Sequence, residues 1–104
     1  MFASRTTIKI MTTLKPIHPG RFIKEDWLAD FDLTQNSLAR GLKIPVSRLN
    51  DIIQGKRGIT ADTAARLARF FGNSPAFWLN LQADYDLRRV DSKRIQNEVT
   101  PHAA

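Results

Sequence analysis

Between residues 18 and 89 apolar side chains recur every three or four positions, the spacing that lines up one side of an α-helix. Ile23 and Trp27, flanked by Phe22 and Leu28, predict a first helix over residues 19–29, with Pro19 in the first turn where its fixed φ suits it. Leu38, Ala39 and Leu42 form the inward stripe of a second helix over residues 35–42, capped by Thr34. A tight connection at Lys43-Ile44 leads to a third helix that stops at Gly55, a residue suited to the left-handed end of a helix. Pro45 reads as the first residue of that helix, which makes Ile44 the cap. Ala64, Leu67, Ala68 and Phe71 predict a fourth helix between Thr60 and Gly72, and Ser74-Pro75 opens a fifth that reaches about Arg89. Strand alternation is missing from this stretch, so the expected fold is all-α with five helices.

The flanks break the pattern. Residues 1–17 have no helical period and read as an N-terminal arm that is extended, strand-like or disordered, with Met11 offering an alternative start. Residues 90–104 read as a polar, frayed tail. This divides the chain into an arm (1–17), one helical domain (18–89) and a tail (90–104). The first thirteen residues lack the continuous apolar run of a secretory signal, and no stretch approaches the roughly 18–20 apolar residues of a membrane span. A cytoplasmic protein without a membrane role is therefore expected. Cysteine is absent and the histidines are only His18 and His102, which argues against disulfides, thiol chemistry and a bound metal.

Charge sharpens the picture. The 104 residues carry a net charge of +6, and Arg40, Lys43, Arg48, Lys56, Arg57, Arg66 and Arg69 lie together against only Asp51 and Asp62. Nearly the whole excess falls in a third of the chain, as expected where a surface meets a polyanion.

The second and third helices, joined by a short turn, fit a helix-turn-helix, whose second helix enters the DNA major groove. At 100° per residue, Leu49, Ile52 and Ile53 turn inward while Ser47, Arg48, Asn50, Asp51 and Gln54 fan across the other side. Amides, a guanidinium and a carboxylate are the groups that read base edges. Phosphate contacts are expected from the free N–H groups at Thr34, Gln35 and Asn36, and from Lys56 and Arg57 just past the third helix. The fifth helix carries two apolar stripes: Phe77, Trp78, Leu81 and Tyr85 on one side, Ala76, Leu79, Ala83 and Leu87 almost opposite. One buried stripe is enough for a surface helix, so the second predicts a homodimer contact; the wheel does not say which face makes it, and Phe77, Trp78, Leu81 and Tyr85 are its candidates.

Several runs resemble the HigA-type (VapI-type) antitoxins, a branch of the Cro/cI-like (XRE) helix-turn-helix proteins. They are His18-Pro19-Gly20, Leu33-Thr34-Gln35, Leu38-Ala39, Gly55 to Thr60, Phe77 to Gln82 and Tyr85-Asp86-Leu87. The resemblance spans about two-thirds of the chain. It implies a five-helix Cro/cI-repressor-like domain that neutralises a HigB-type messenger-RNA endonuclease toxin. It also implies repression of the chain's own operon as a dimer on a palindromic double-stranded DNA operator, with no cofactor, no small-molecule substrate and no catalysis. By the same analogy Gln35 sits at a phosphate or first-base contact, and Val46, Ser47, Arg48, Asn50 and Asp51 face the groove. The chain departs from the family pattern at Lys43, where a small turn residue is common, and at Pro45, where Ser or Thr often caps. Asp51 adds a negative charge to the reading face, to pair with Arg48 or to meet a cytosine. A stand-alone repressor without a toxin is the alternative reading. Against an enzyme, Gly55-Lys56 lacks the glycine spacing of a phosphate loop, and Asp30 and Asp32 fall at a helix end open to water.

Overall fold

A computed structural model describes residues 16–103, and every regular element among them is helical. The first fifteen residues, with most of the expected arm and the alternative start at Met11, lie outside the described residues, as does Ala104. The first helix, α1, is built in three parts: Pro19–Phe22, Ile23–Trp27 and Leu28–Asp30. His18 caps it, its Nδ1 accepting from the Gly20 N–H at 3.0 Å. The middle part is a π-helical turn rather than the uniform α-helix expected, with the Leu28 N–H bonded back to the Ile23 carbonyl. Phe22, Ile23 and Trp27 are all buried.

Helix α2 (Gln35–Leu42) begins in a reciprocal capping box between Thr34 and Ser37, each backbone N–H donating to the other's hydroxyl at 3.0 Å. It ends on Lys43, whose φ of 59° is left-handed. That conformation costs a side-chain-bearing residue roughly 1 kcal/mol, which is why a small residue suits this turn. Helix α3 (Val46–Ile53) starts one residue later than the sequence suggests. Pro45 is itself the cap: its ψ of 141° is extended, and its carbonyl accepts from the Arg48 and Leu49 N–H groups. Ile44 is thereby released to the core. Helix α4 (Ala61–Phe71) runs from the Thr60 cap to Gly72, and α5 (Pro75–Arg88) is capped by Ser74.

A sixth helix, α6 (Ser92–Glu98), stands where the pattern predicts only a polar tail. Its support is local. Asp91 caps it by accepting from the Arg94 N–H at 3.1 Å, and Arg94 pairs with Glu98 one turn on at 2.8 Å. All of its side chains are exposed.

The core gathers Leu38 from α2, Leu49 and Ile52 from α3, Leu67 from α4 and Trp78 from α5, each with no exposed surface. Trp78 packs tilted against Trp27 at 5.2 Å and Phe71 at 5.9 Å between ring centroids. Its indole N–H donates to Asn73 Oδ1 at 2.8 Å, so the largest fully buried side chain leaves no polar atom unpaired. Gly20 presses directly on α3: a Cβ there would lie 1.8 Å from the Ile52 carbonyl oxygen. Position 20 therefore sets how closely α1 supports the underside of α3.

Candidate nucleic-acid interface

With Leu49 and Ile52 buried beneath it, α3 turns the rest of its surface outward. Ser47 and Gln54 are exposed, Val46 is 47% exposed, and Arg48, Asn50 and Asp51 are half-buried but open along one side. Ile53, expected inside, is only partly buried against the core edge. The polar fan is thus partly exposed along its length, from Ser47 to Gln54.

Its members are held by neighbours. Gln35 Nε2, at the first turn of α2, donates to Asn50 Oδ1 at 3.1 Å, joining the two helices at their shared surface. Gln54 Nε2 approaches the same oxygen at 3.5 Å, the outer limit of a hydrogen bond. The Thr34 N–H is already taken by Ser37, so the expected anion site at the start of α2 narrows to the N–H groups of Gln35 and Asn36.

The charged residues are not paired as the first of the two options for Asp51 expects. Asp51 pairs with Arg57 at 3.9 Å, not with Arg48, and its backbone carbonyl accepts from the Lys56 and Arg57 N–H groups. This folds the basic loop against the end of α3. Arg48 instead reaches α4, with Nη2 at 3.4 Å from Asp62 Oδ2. The same oxygen accepts from Arg66 Nε at 2.8 Å, while Arg66 Nη1 donates to the Leu42 carbonyl at 3.1 Å. The hydrogen bond from Arg66, reinforced by the Arg66 and Arg48 charges, holds the Asp62 carboxyl below its ordinary pKa. Among the described residues Arg40, Lys43, Lys56 and Arg69 make no ion pair. The cationic excess available to a polyanion is thus smaller than the count of basic residues.

The loop after α3 is held from below by Gln82, whose Oε1 accepts from the Ile59 N–H at 2.8 Å. Sequence reasoning singled out neither Gln82 nor Asp62. The spacing of Asp62 and Arg66 announces an i,i+4 pair, but nothing local announces Arg48 or Ile59 as partners.

The stripe on α5 assigned to a second chain requires correction at two of its four residues, Trp78 and Leu81. Trp78 has no exposed surface and Leu81 only 7%, because both complete the core of this chain. Phe77 is partly buried beside them, and the Tyr85 ring meets His18 edge-on at 4.9 Å. Trp78 and Leu81 are thus consumed inside this chain, whereas Phe77 and Tyr85 keep part of their surface exposed. Toward the C-terminus, exposed apolar side chains run from the end of α5 to just past α6: Leu87, Val90, Ile95 and Val99, between 43% and 71% exposed.

Two helices at a tight turn, a supported reading helix with a polar fan and scattered cations define a DNA-binding helix-turn-helix protein. A helix-turn-helix family model matches residues 26–78. Virulence-associated protein I of Dichelobacter nodosus is 44% identical over 86 residues, covering 82% of this chain and 80% of the relative. Among solved structures, a HigA-family addiction-module antidote protein of Coxiella burnetii superposes with a TM-score of 0.79 at 47% identity, covering 86% of this chain and all of that one. The Pseudomonas aeruginosa antitoxin HigA, solved with the higBA promoter, gives 0.78 at 41% identity, with 86% and 100% covered. The chain belongs to the HigA-type antitoxins of the helix-turn-helix family. That family is one of DNA-binding regulators, not a class of enzymes.

Proposed function

We propose that this protein is a cytoplasmic antitoxin that binds and neutralises a HigB-type, messenger-RNA-cleaving toxin and, as a homodimer, represses its own operon at a palindromic operator. The observation that carries the DNA-binding half is the open fan of α3, braced by the bond from Gln35 to Asn50. In this reading Val46, Ser47, Arg48, Asn50 and Asp51 meet base edges. Gln35, Asn36, Lys56 and Arg57 meet phosphates, which fix register without reading sequence. A HigA structure with its promoter at 41% identity supports the assignment. No helix among the described residues is long and apolar enough to cross a membrane, consistent with work on DNA. For the dimer, Leu87, Val90, Ile95 and Val99 offer the apolar surface, and a symmetric pair would set two reading helices about 34 Å apart, one turn of the duplex.

Selection of bound duplexes from random DNA tests the first half. A palindrome should emerge, and an Arg48→Ala protein should select a relaxed version of it. Selection of no sequence by the wild type overturns operator binding. For the second half, the product of the adjacent reading frame, toxic when expressed alone, should be rescued by this chain and co-purify with it. Sequence-specific DNA binding without any such rescue leaves a stand-alone repressor.

A further inference from the structure

Asp62 lies on α4, outside the reading helix, yet its carboxylate holds Arg48 of that helix. The grip is incomplete in a telling way. Arg66 takes the short bond to Asp62 Oδ2 at 2.8 Å and is anchored from its other side by the Leu42 carbonyl, whereas Arg48 reaches the same oxygen only at 3.4 Å. Arg48 Nε is buried with no hydrogen-bond partner. The Arg48 side chain is 30% exposed and that of Asp62 60%, so the pair lies at the solvent boundary beside the fan. A guanidinium with a weak anionic contact and an orphaned N–H is poised to exchange one acceptor for a better one.

We propose that Asp62 is a specificity-determining positioning residue: an internal anion that occupies Arg48 until a base edge or phosphate outcompetes it. The proposal rests on the DNA-binding reading above. Random duplex seldom holds a guanine in register with Arg48 and so offers it chiefly a phosphate, which must displace Asp62 for little net gain. A matched site offers a bidentate acceptor on guanine, which repays the exchange. Asp62 therefore suppresses non-specific binding more than specific binding. Arg66 stays bound to the Leu42 carbonyl when the carboxylate is lost, which keeps α4 docked on the end of α2.

The test measures binding of the full chain to the duplex selected by the wild type and to a random-sequence duplex of equal length, across a salt series. Asp62→Asn should steepen the salt dependence on random duplex by about 0.9 in log–log slope and tighten that binding roughly fivefold to tenfold at about 0.1 M salt, as one added phosphate contact does. Affinity for the selected duplex should rise less, so the specificity ratio falls. Asp62→Glu, which keeps the charge at a surface position, should restore both slope and ratio. The decisive arm is the Arg48→Ala background. There, Asp62→Asn should leave the slope unchanged if it acts by releasing Arg48. An equal change in that background means only a general effect of lost negative charge and overturns the proposal, as does an unaltered slope in Asp62→Asn itself. Failure of the wild type to prefer any duplex overturns instead the DNA-binding reading.

Discussion

Gly20→Ala sets local preference against tertiary contact. In a helix alanine is favoured over glycine by roughly 1 kcal/mol, so propensity alone expects this substitution near the start of α1 to stabilise the protein. The structure reverses the sign. An alanine Cβ would lie 1.8 Å from the Ile52 carbonyl oxygen, 2.5 Å from its carbon and 2.8 Å from the Ile53 Cα, all backbone atoms that no rotamer change can move. Restoring even a 3.0 Å separation demands a withdrawal of about 1.2 Å between α1 and α3. A gap of that size forfeits about half or more of the dispersion contact around Ile23 and Ile52, both fully buried. Overpacking of this kind costs about 3 kcal/mol at the upper end of its usual range, and the propensity gain offsets about 1, for a net loss of about 2 kcal/mol. Urea unfolding followed by far-UV circular dichroism reads it directly. Gly41→Ala is the matched control: the nearest atoms to its Cβ belong to the Phe70 ring, a side chain that is 40% exposed, rather than to backbone. That variant should be neutral or up to about 1 kcal/mol more stable. A Gly20→Ala protein as stable as the wild type, or equal losses in both variants, would refute the reasoning.

Other outcomes follow from the same geometry. Asn50→Ala should weaken binding to the selected duplex by about 1–3 kcal/mol, and Gln35→Ala should be strongly non-additive with it, because one bond joins the two amides. Additive losses in equilibrium titrations would dismiss the idea that they act as a unit. Gln82→Ala should cost about 1–3 kcal/mol of stability by stranding the part-buried Ile59 N–H, and Gln82→Glu, made with Asp86→Asn because Gln82 Nε2 donates to Asp86 Oδ1 at 3.1 Å, should recover most of it; equal losses in both would remove that explanation. Burial lowers the His18 pKa, with Arg89 acting in the same direction and Asp86 and the Arg57 backbone opposing. A depressed histidine pKa means the unfolded chain binds the proton more readily. The associated stability is therefore fully present above the ordinary imidazole value and is lost as pH falls through the folded one. His18→Asn should flatten that mildly acidic decline in urea midpoint; an unchanged slope would assign it elsewhere.

Most of the helix boundaries were legible because they are local. Thr34, Thr60 and Ser74 cap the residues that follow them, Gly72 takes a left-handed φ, and the inward stripes of α2 and α4 repeat within a turn or two. Even the missed α6 carried such signals in Asp91 and the Arg94–Glu98 spacing. What stayed hidden depends on residues distant in the chain. The periodicity of α5 shows two apolar stripes and gives no reason to choose between them. Only packing against Trp27 and Phe71 turns Trp78 and Leu81 inward. Asp51 and Asp62 are equally plain as acidic neighbours of arginines, yet Arg48 finds a carboxylate fourteen residues on and leaves the nearer one to Arg57. Torsional preference and hydrogen bonding over a few residues decide where a helix begins and ends. Which faces meet, and which charges pair, is decided by how the helices share one core, and that is a property of the folded chain alone.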